Sequence, residues 1–186
     1  KGAKLICEAA AAGEPNAEFN CGSLLDQGKG LPKDPKKAIE WYQKAAAHES
    51  APARNALASA YSEGREVTAD PAKAFQLFQQ TASVGNPFGL YRLGDAYFKG
   101  QGTERDLVKA HGYFNLAASR QMPEAIEARA AVEAQLSPEQ ITQAQQFARA
   151  WRPVPGAAKP NAPASADIVK PAAPAKPAAK PKDAAQ

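Results

Sequence analysis

The chain repeats itself at a step of 36 residues, and a period of that length restricts the fold more than any other feature. Gly28, Gly64 and Gly100 coincide, as do Asp34, Asp70 and Asp106. Lys37, Lys73 and Lys109 fall in phase, each followed by an alanine: Ala38, Ala74 or Ala110. A ring slot holds Tyr42, Phe78 and Phe114, preceded by Trp41, Leu77 and Tyr113, and followed by Ala46, Ala82 and Ala118. Upstream, Cys21, Leu57 and Leu93 share a phase, then Leu25, Tyr61 and Tyr97. A glycine, an acid and a ring kept in register three times require three copies of one structural unit.

Each unit reads as two helices. In the second copy, Ala53, Leu57, Ala60 and Tyr61 recur at helical spacing. Gly64 then supplies the left-handed residue that ends a helix. The chain runs on to Asp70-Pro71, where the acid caps the exposed amides of the next helix and the proline suits its first position. Asp34-Pro35 repeats this, and Asp106-Leu107 keeps the cap without the proline. Ala74, Leu77, Phe78 and Ala82 make one apolar face of the second helix. The spacing predicts helix pairs over 16–27 and 34–47, 52–63 and 70–83, 88–99 and 106–119. One hairpin cannot cover its own apolar faces, but stacked hairpins can. The expected fold is an all-α, α/α superhelical solenoid, with repeats at 17–52, 53–88 and 89–124.

The ends depart from the pattern. Leu5 and Ile6 fall one step before Trp41 and Tyr42, so residues 1–12 read as a second helix lacking its first. A missing partner helix, and no initiator methionine, suggest a fragment or mature form of a longer array. Residues 123–134 begin a fourth first helix. Ser137-Pro138-Glu139-Gln140 is then a helix start with Gln140 placed to reach back to its cap. Ile141, Ala144, Ala148 and Trp151 form a stripe, and 125–151 are expected to cap the array.

Charge separates the body from the tail. Residues 152–186 hold six bases (Arg152, Lys159, Lys170, Lys176, Lys180 and Lys182) against Asp167 and Asp183, which accounts for the whole net charge of +4. Residues 1–151 are balanced, whereas a globular nucleic-acid binder carries its basic excess on the folded part. Half of the 16 prolines lie in the tail, which has no aromatic residue. Such a segment buries too little apolar surface to offset its chain entropy. It reads as a disordered Lys/Pro/Ala spacer, reaching on the order of 100 Å at about 3.1 Å per residue. No apolar run approaches the roughly 18 residues of a membrane helix.

The combined motif resembles the Sel-one-like repeats, relatives of the tetratricopeptide repeats. It comprises Gly28/Gly30 and Gly100/Gly102, the in-phase Asp, the Lys-Ala pair, the ring pair and the following Ala. The resemblance covers about 1–151 and implies a superhelix serving as an adaptor between proteins, frequently in bacterial envelopes or signalling, with no shared catalytic residues. Glu66 in place of the second glycine, Gly89 in place of the first alanine and Thr81 in place of an alanine depart from the pattern.

The residues offer little chemistry. Cys21 shares the slot of Leu57 and Leu93 and reads as a small buried hydrophobe, while Cys7 shares the exposed slot of Gln43 and Gln79. Secreted members of the family join adjacent helices by disulfides, with cysteines closer in sequence and in another phase. A Cys7–Cys21 bridge is the alternative to two unpaired thiols. His48 and His111 lie on different repeats without convergent ligands and read as surface histidines, and no cofactor or metal is implied. Glu8, Glu40 and Glu49 are scattered. Some members of the family are linked to hydrolytic activities, a remote alternative for which no nucleophile and base can be assigned here.

What remains is surface. In arrays of this kind the first helices line the concave face. Their varying positions Asn20, Ser23, Asn55, Ser59, Tyr91, Arg92 and Asp95 are the expected contacts for a protein or peptide partner. Tyr91 and Arg92 lead, because Tyr and Arg anchor interfaces. The alternative places binding in the tail, whose sparse lysines would touch an anionic polymer or surface without sequence-specific nucleic-acid recognition. Extended spacers of this type tilt the reading toward a periplasmic or exported protein.

Overall fold

The computed structural model describes residues 1–154, so all but the first three residues of the spacer expected over 152–186 lie outside the described residues; of those three, Val154 corrects the expectation, its amide donating to the Ser83 carbonyl at 2.8 Å. Among these residues there are nine helices and no strand. They are α1 (Gly2–Ala11), α2 (Pro15–Gln27), α3 (Pro35–Ala47), α4 (Ala51–Glu63), α5 (Pro71–Ser83), α6 (Pro87–Lys99), α7 (Leu107–Ala118), α8 (Pro123–Glu133) and α9 (Pro138–Ala150). Helices from α1 to α8 pack each against the next along the chain, and α9 folds back onto α7.

The three glycine corners are equivalent. Gly28, Gly64 and Gly100 end α2, α4 and α6 with φ of 69°, 68° and 70°. In each, the amide of the next residue donates back to a helix carbonyl at 3.0 Å: Lys29 to Leu24, Arg65 to Ala60, Gln101 to Ala96. The loops close alike, with the amides of Asp34, Asp70 and Asp106 donating to Leu25, Tyr61 and Tyr97 at 2.9 Å. Each aspartate then turns its carboxylate to the amide of Lys37, Lys73 or Lys109 at 2.9–3.0 Å and caps the following helix. At Ser137 the reciprocal cap is complete, with Gln140 reaching back to the Ser137 amide at 2.9 Å.

Within each hairpin a small residue meets the ring slot. A Cβ at Gly22 would lie 2.8 Å from the Tyr42 ring, and one at Gly94 would lie 2.8 Å from Phe114. Ala58 holds the same place against Phe78 and Ala74 in the middle repeat. The small side chain lets the backbones close, and the ring fills the gap. Burial of the Tyr42 hydroxyl, aided by nearby Asp26, pushes its pKa well above the ordinary value. Gly89 and Thr81 prove to be a matched pair: buried Thr81 occupies the space a Cβ at Gly89 would need, and its hydroxyl donates to the Phe78 carbonyl at 3.1 Å.

Glu66 stands in the left-handed region at φ 54°, where Gly30 and Gly102 sit at 74° and 72° in the flanking repeats. A side chain there costs about 1–2 kcal/mol, part of which glycine gives back through its freer unfolded chain. Glu66→Gly is therefore expected to raise stability by about 0.5–1 kcal/mol in urea titration, and an unchanged or lower midpoint would contradict it.

The cysteines correct the expectation of two unpaired thiols. Cys7 of α1 and Cys21 of α2 form a disulfide with Cα atoms 5.0 Å apart. The phase assignment stands for Cys21, which is fully buried in the cluster that holds Leu25, Leu57 and Tyr42, but not for Cys7, which is half-buried where its phase gave an exposed slot. What phase could not supply is the approach of α1, which lays half-buried Cys7 and Ile6 on that same cluster.

Candidate functional site

The first helices place the expected contact residues unequally. Ser23 is buried, accepts from Gln27 Nε2 at 2.8 Å and hydrogen-bonds Tyr42, so it belongs to the packing of its hairpin. Asn55 is buried too. Its Nδ2 donates to Asn86 Oδ1 at 3.1 Å, the atom that caps α6 through the Gly89 amide, so Asn55 ties α4 to the start of the next repeat. Asn20 and Ser59 are half-buried.

Tyr91, Arg92 and Asp95 come together on α6. The Tyr91 ring lies 5.5 Å from that of Phe114 and remains half-buried. Arg92 lies over the Phe78 ring, its guanidinium carbon 5.2 Å from the centroid, and its Nε is buried without a partner among the described residues. Asp95 pairs with Lys99 at 2.8 Å. Burial, then Asp95, pushes the Tyr91 pKa up, and Glu124 and Glu127 of α8 add to the rise against the opposing pull of Arg92. From α6 to α8 the ring thus lies in the field of three carboxylates, of which Asp95 is paired with Lys99, and the opposing Arg92 guanidinium is seated on the Phe78 ring.

A second place is a cleft of about 360 Å³ lined by His111, Asn115, Arg129, Glu133, Gln145 and Arg149. Helix α7 packs against both α8 and α9, while α8 and α9 hardly meet, so α7 forms the floor and the other two the walls. A Cβ at Gly112 would run into Phe147, and the glycine lets α9 come down onto α7. His111 is the correction here: expected at the surface, it is 2% exposed, with Nε2 3.2 Å from Glu133 Oε2. A signal existed in the sequence, because His111 lies 36 residues after Phe75 and 72 after Ile39, both apolar and at least half-buried. His48 does lie at the surface, 49% exposed and 2.8 Å from buried Glu18. No group of three or more His, Cys, Asp or Glu able to hold a metal occurs among the described residues.

Equivalent glycine corners, capped second helices and ring-filled hairpins define an array of stacked antiparallel helix pairs. The Sel1 repeat model matches residues 15–50, 51–86 and 87–122, each opening at the first residue of α2, α4 or α6, two residues ahead of the frame read from sequence. The chain belongs to the Sel1 repeat family, whose members are generally non-catalytic scaffolds for protein interaction. It is similar to the uropathogenic Escherichia coli protective antigen c5321, which displays an SLR fold, at 29% identity and a TM-score of 0.74. That match covers 80% of this chain and 32% of the antigen. A Sel1 repeat protein from Oxalobacter formigenes matches at 26% identity and a TM-score of 0.67, over 79% of this chain and 62% of the other. This chain thus spans less than two thirds of either structure. No curated protein matches it. Among the described residues no helix is long and apolar enough to cross a membrane.

Proposed function

We infer that the protein is a non-catalytic adaptor that holds a basic segment of a partner protein against the first-helix face, centred on Tyr91. The observation that carries this reading is the half-buried Tyr91 ring in the electrostatic field of Asp95, Glu124 and Glu127. A half-buried ring offers contact area at low entropic cost, and a lysine or arginine laid against its exposed part would meet the π-system and the carboxylates of Glu124 and Glu127, with Asp95 shared with Lys99. Of the seven contact residues expected from sequence, Tyr91 and Asp95 on α6 form the centre, and Asn20 on α2 and Ser59 on α4 extend the face along the preceding first helices. Ser23, Asn55 and Arg92 support the surface from beneath. The disulfide favours an oxidising compartment, and with it an exported protein.

A photo-crosslinking residue at position 91 of the full chain identifies the partner, and charge reversal tests the mode of binding. Asp95→Lys with Glu127→Lys is expected to weaken the crosslinked partner at least tenfold, and to flatten the salt dependence of binding, while far-UV helicity is unchanged. Affinity retained in the double variant would overturn the assignment.

A further inference from the structure

We propose that the cleft between α8 and α9 is a second binding site, distinct from the Tyr91 surface, that takes a carboxylate-bearing ligand between Arg129 and Arg149. The six lining residues all end in hydrogen-bonding groups, and none is a Ser, Thr, Cys, Tyr or Lys. A hydrocarbon ligand would leave those donors unpaired, so the occupant must bring acceptors of its own.

Arg129 sets the geometry. Its Nη1 donates to Asn115 Oδ1 at 2.7 Å, which fixes the guanidinium plane from the floor of the cleft. Its Nε is buried and has no partner among the described residues. With Nε closed to solvent, a ligand carboxylate reaches Arg129 at its terminal Nη1/Nη2 edge, which can also offer two parallel hydrogen bonds. Arg149 adds a second cation from the last turn of α9, and Gln145, one turn earlier, adds amide donors.

The charge balance points the same way. The cleft holds two guanidinium groups and one carboxylate, and that carboxylate is engaged by His111 Nε2. The lining's two cations and one anion leave a net +1, which matches a single negative charge and falls one short of a doubly charged phosphate. His111 Nδ1 is likewise buried and unpartnered, so the ring holds a further polar atom that the fold itself does not use. The volume suits a compact ligand, on the scale of a blocked amino acid and at the small end of ligand sites.

The full chain is titrated with N-acetylalanine, with its primary amide and with inorganic phosphate at one ionic strength, following the Arg129 Nε–H and His111 ring resonances by NMR. N-acetylalanine is expected to give saturable shifts at millimolar concentration, and the amide none. Arg129→Lys keeps the charge and loses the fork, and is expected to weaken binding at least tenfold. Arg149→Gln is expected to weaken it severalfold. Both variants are checked for unchanged helicity. Asp95→Lys is expected to leave the titration as it was, which separates this site from the Tyr91 surface. Shifts that rise linearly without saturation, an amide that binds as well as the acid, tighter binding of phosphate, or an Arg129→Lys variant that folds and binds normally would each overturn the proposal.

Discussion

Replacing Phe78 with alanine is expected to lower stability by about 3–5 kcal/mol and to split the unfolding of the array into two steps. The size follows from the packing. Phe78 is buried in the middle repeat against Ala58 and Ala74, with the Phe88 ring 6.4 Å away and the Arg92 guanidinium over its face. Ala58 and Ala74 are too small to fill the vacated space, and Arg92 loses the surface that supports its buried end. The splitting follows from the architecture. In a stacked array each hairpin is held by its neighbours, so damage at the centre weakens both interfaces of the middle repeat while leaving the flanking cores whole. One of those cores is built around Phe19, Cys21, Tyr42 and Leu57, the other around Leu90, Leu93, Leu116 and Ala125. Calorimetry of the variant is expected to show two transitions in place of one, with the first about 10 °C or more below that of the parent. A single transition shifted by less than a degree or two would mean that Phe78 does not bridge the halves.

The positions legible in sequence are those fixed by local chemistry in three copies. Gly28, Gly64 and Gly100 read as corners because a left-handed residue, a capping Asp and a helix restart follow one another within a few residues, and each copy checks the other two. Tyr42, Phe78 and Phe114 read as core for the same reason. Their counterparts Gly22, Ala58 and Gly94 were there to be read, since a small residue recurs at the same step, yet a glycine inside a helix has no local chemistry to announce its role. The cleft was hidden for a different reason. Helix α9 falls outside the period, so no second copy shows which face it covers. In the other repeats the slot of Gly112 holds exposed Gln76 and Glu40, and glycine there makes sense only once Phe147 lies on it. The disulfide was obscured by its own consistency with the repeat: Cys21 does the packing of Leu57 and Leu93, and that sufficed to explain it.

The disulfide should therefore contribute in two separable ways. As a cross-link it closes a loop of sequence separation 14, worth about 3 kcal/mol on the chain-entropy account. Helix α1 depends on that link more than any other element would. It has ten residues, no side-chain cap at its start, and contacts α2 alone among the later helices to any extent. Leu5 on its outer side is 63% exposed, and only Ile6, Cys7 and Ala10 face the first core. Cys7→Ala removes the tether and leaves Cys21 as a buried thiol, which packs as a small hydrophobe. Its expected cost is about 3 kcal/mol, concentrated in α1, whose amides should lose most of their hydrogen-exchange protection while those of α6 to α9 keep theirs. Cys21→Ser removes the same tether and also buries a hydroxyl among Leu25, Leu57 and Tyr42, so it should cost at least about 1 kcal/mol more. The parent protein under reductant should match Cys7→Ala and not Cys21→Ser. If reduction to two free thiols left α1 as protected as before, the helix would be held by packing alone and the cross-link would add nothing to the fold.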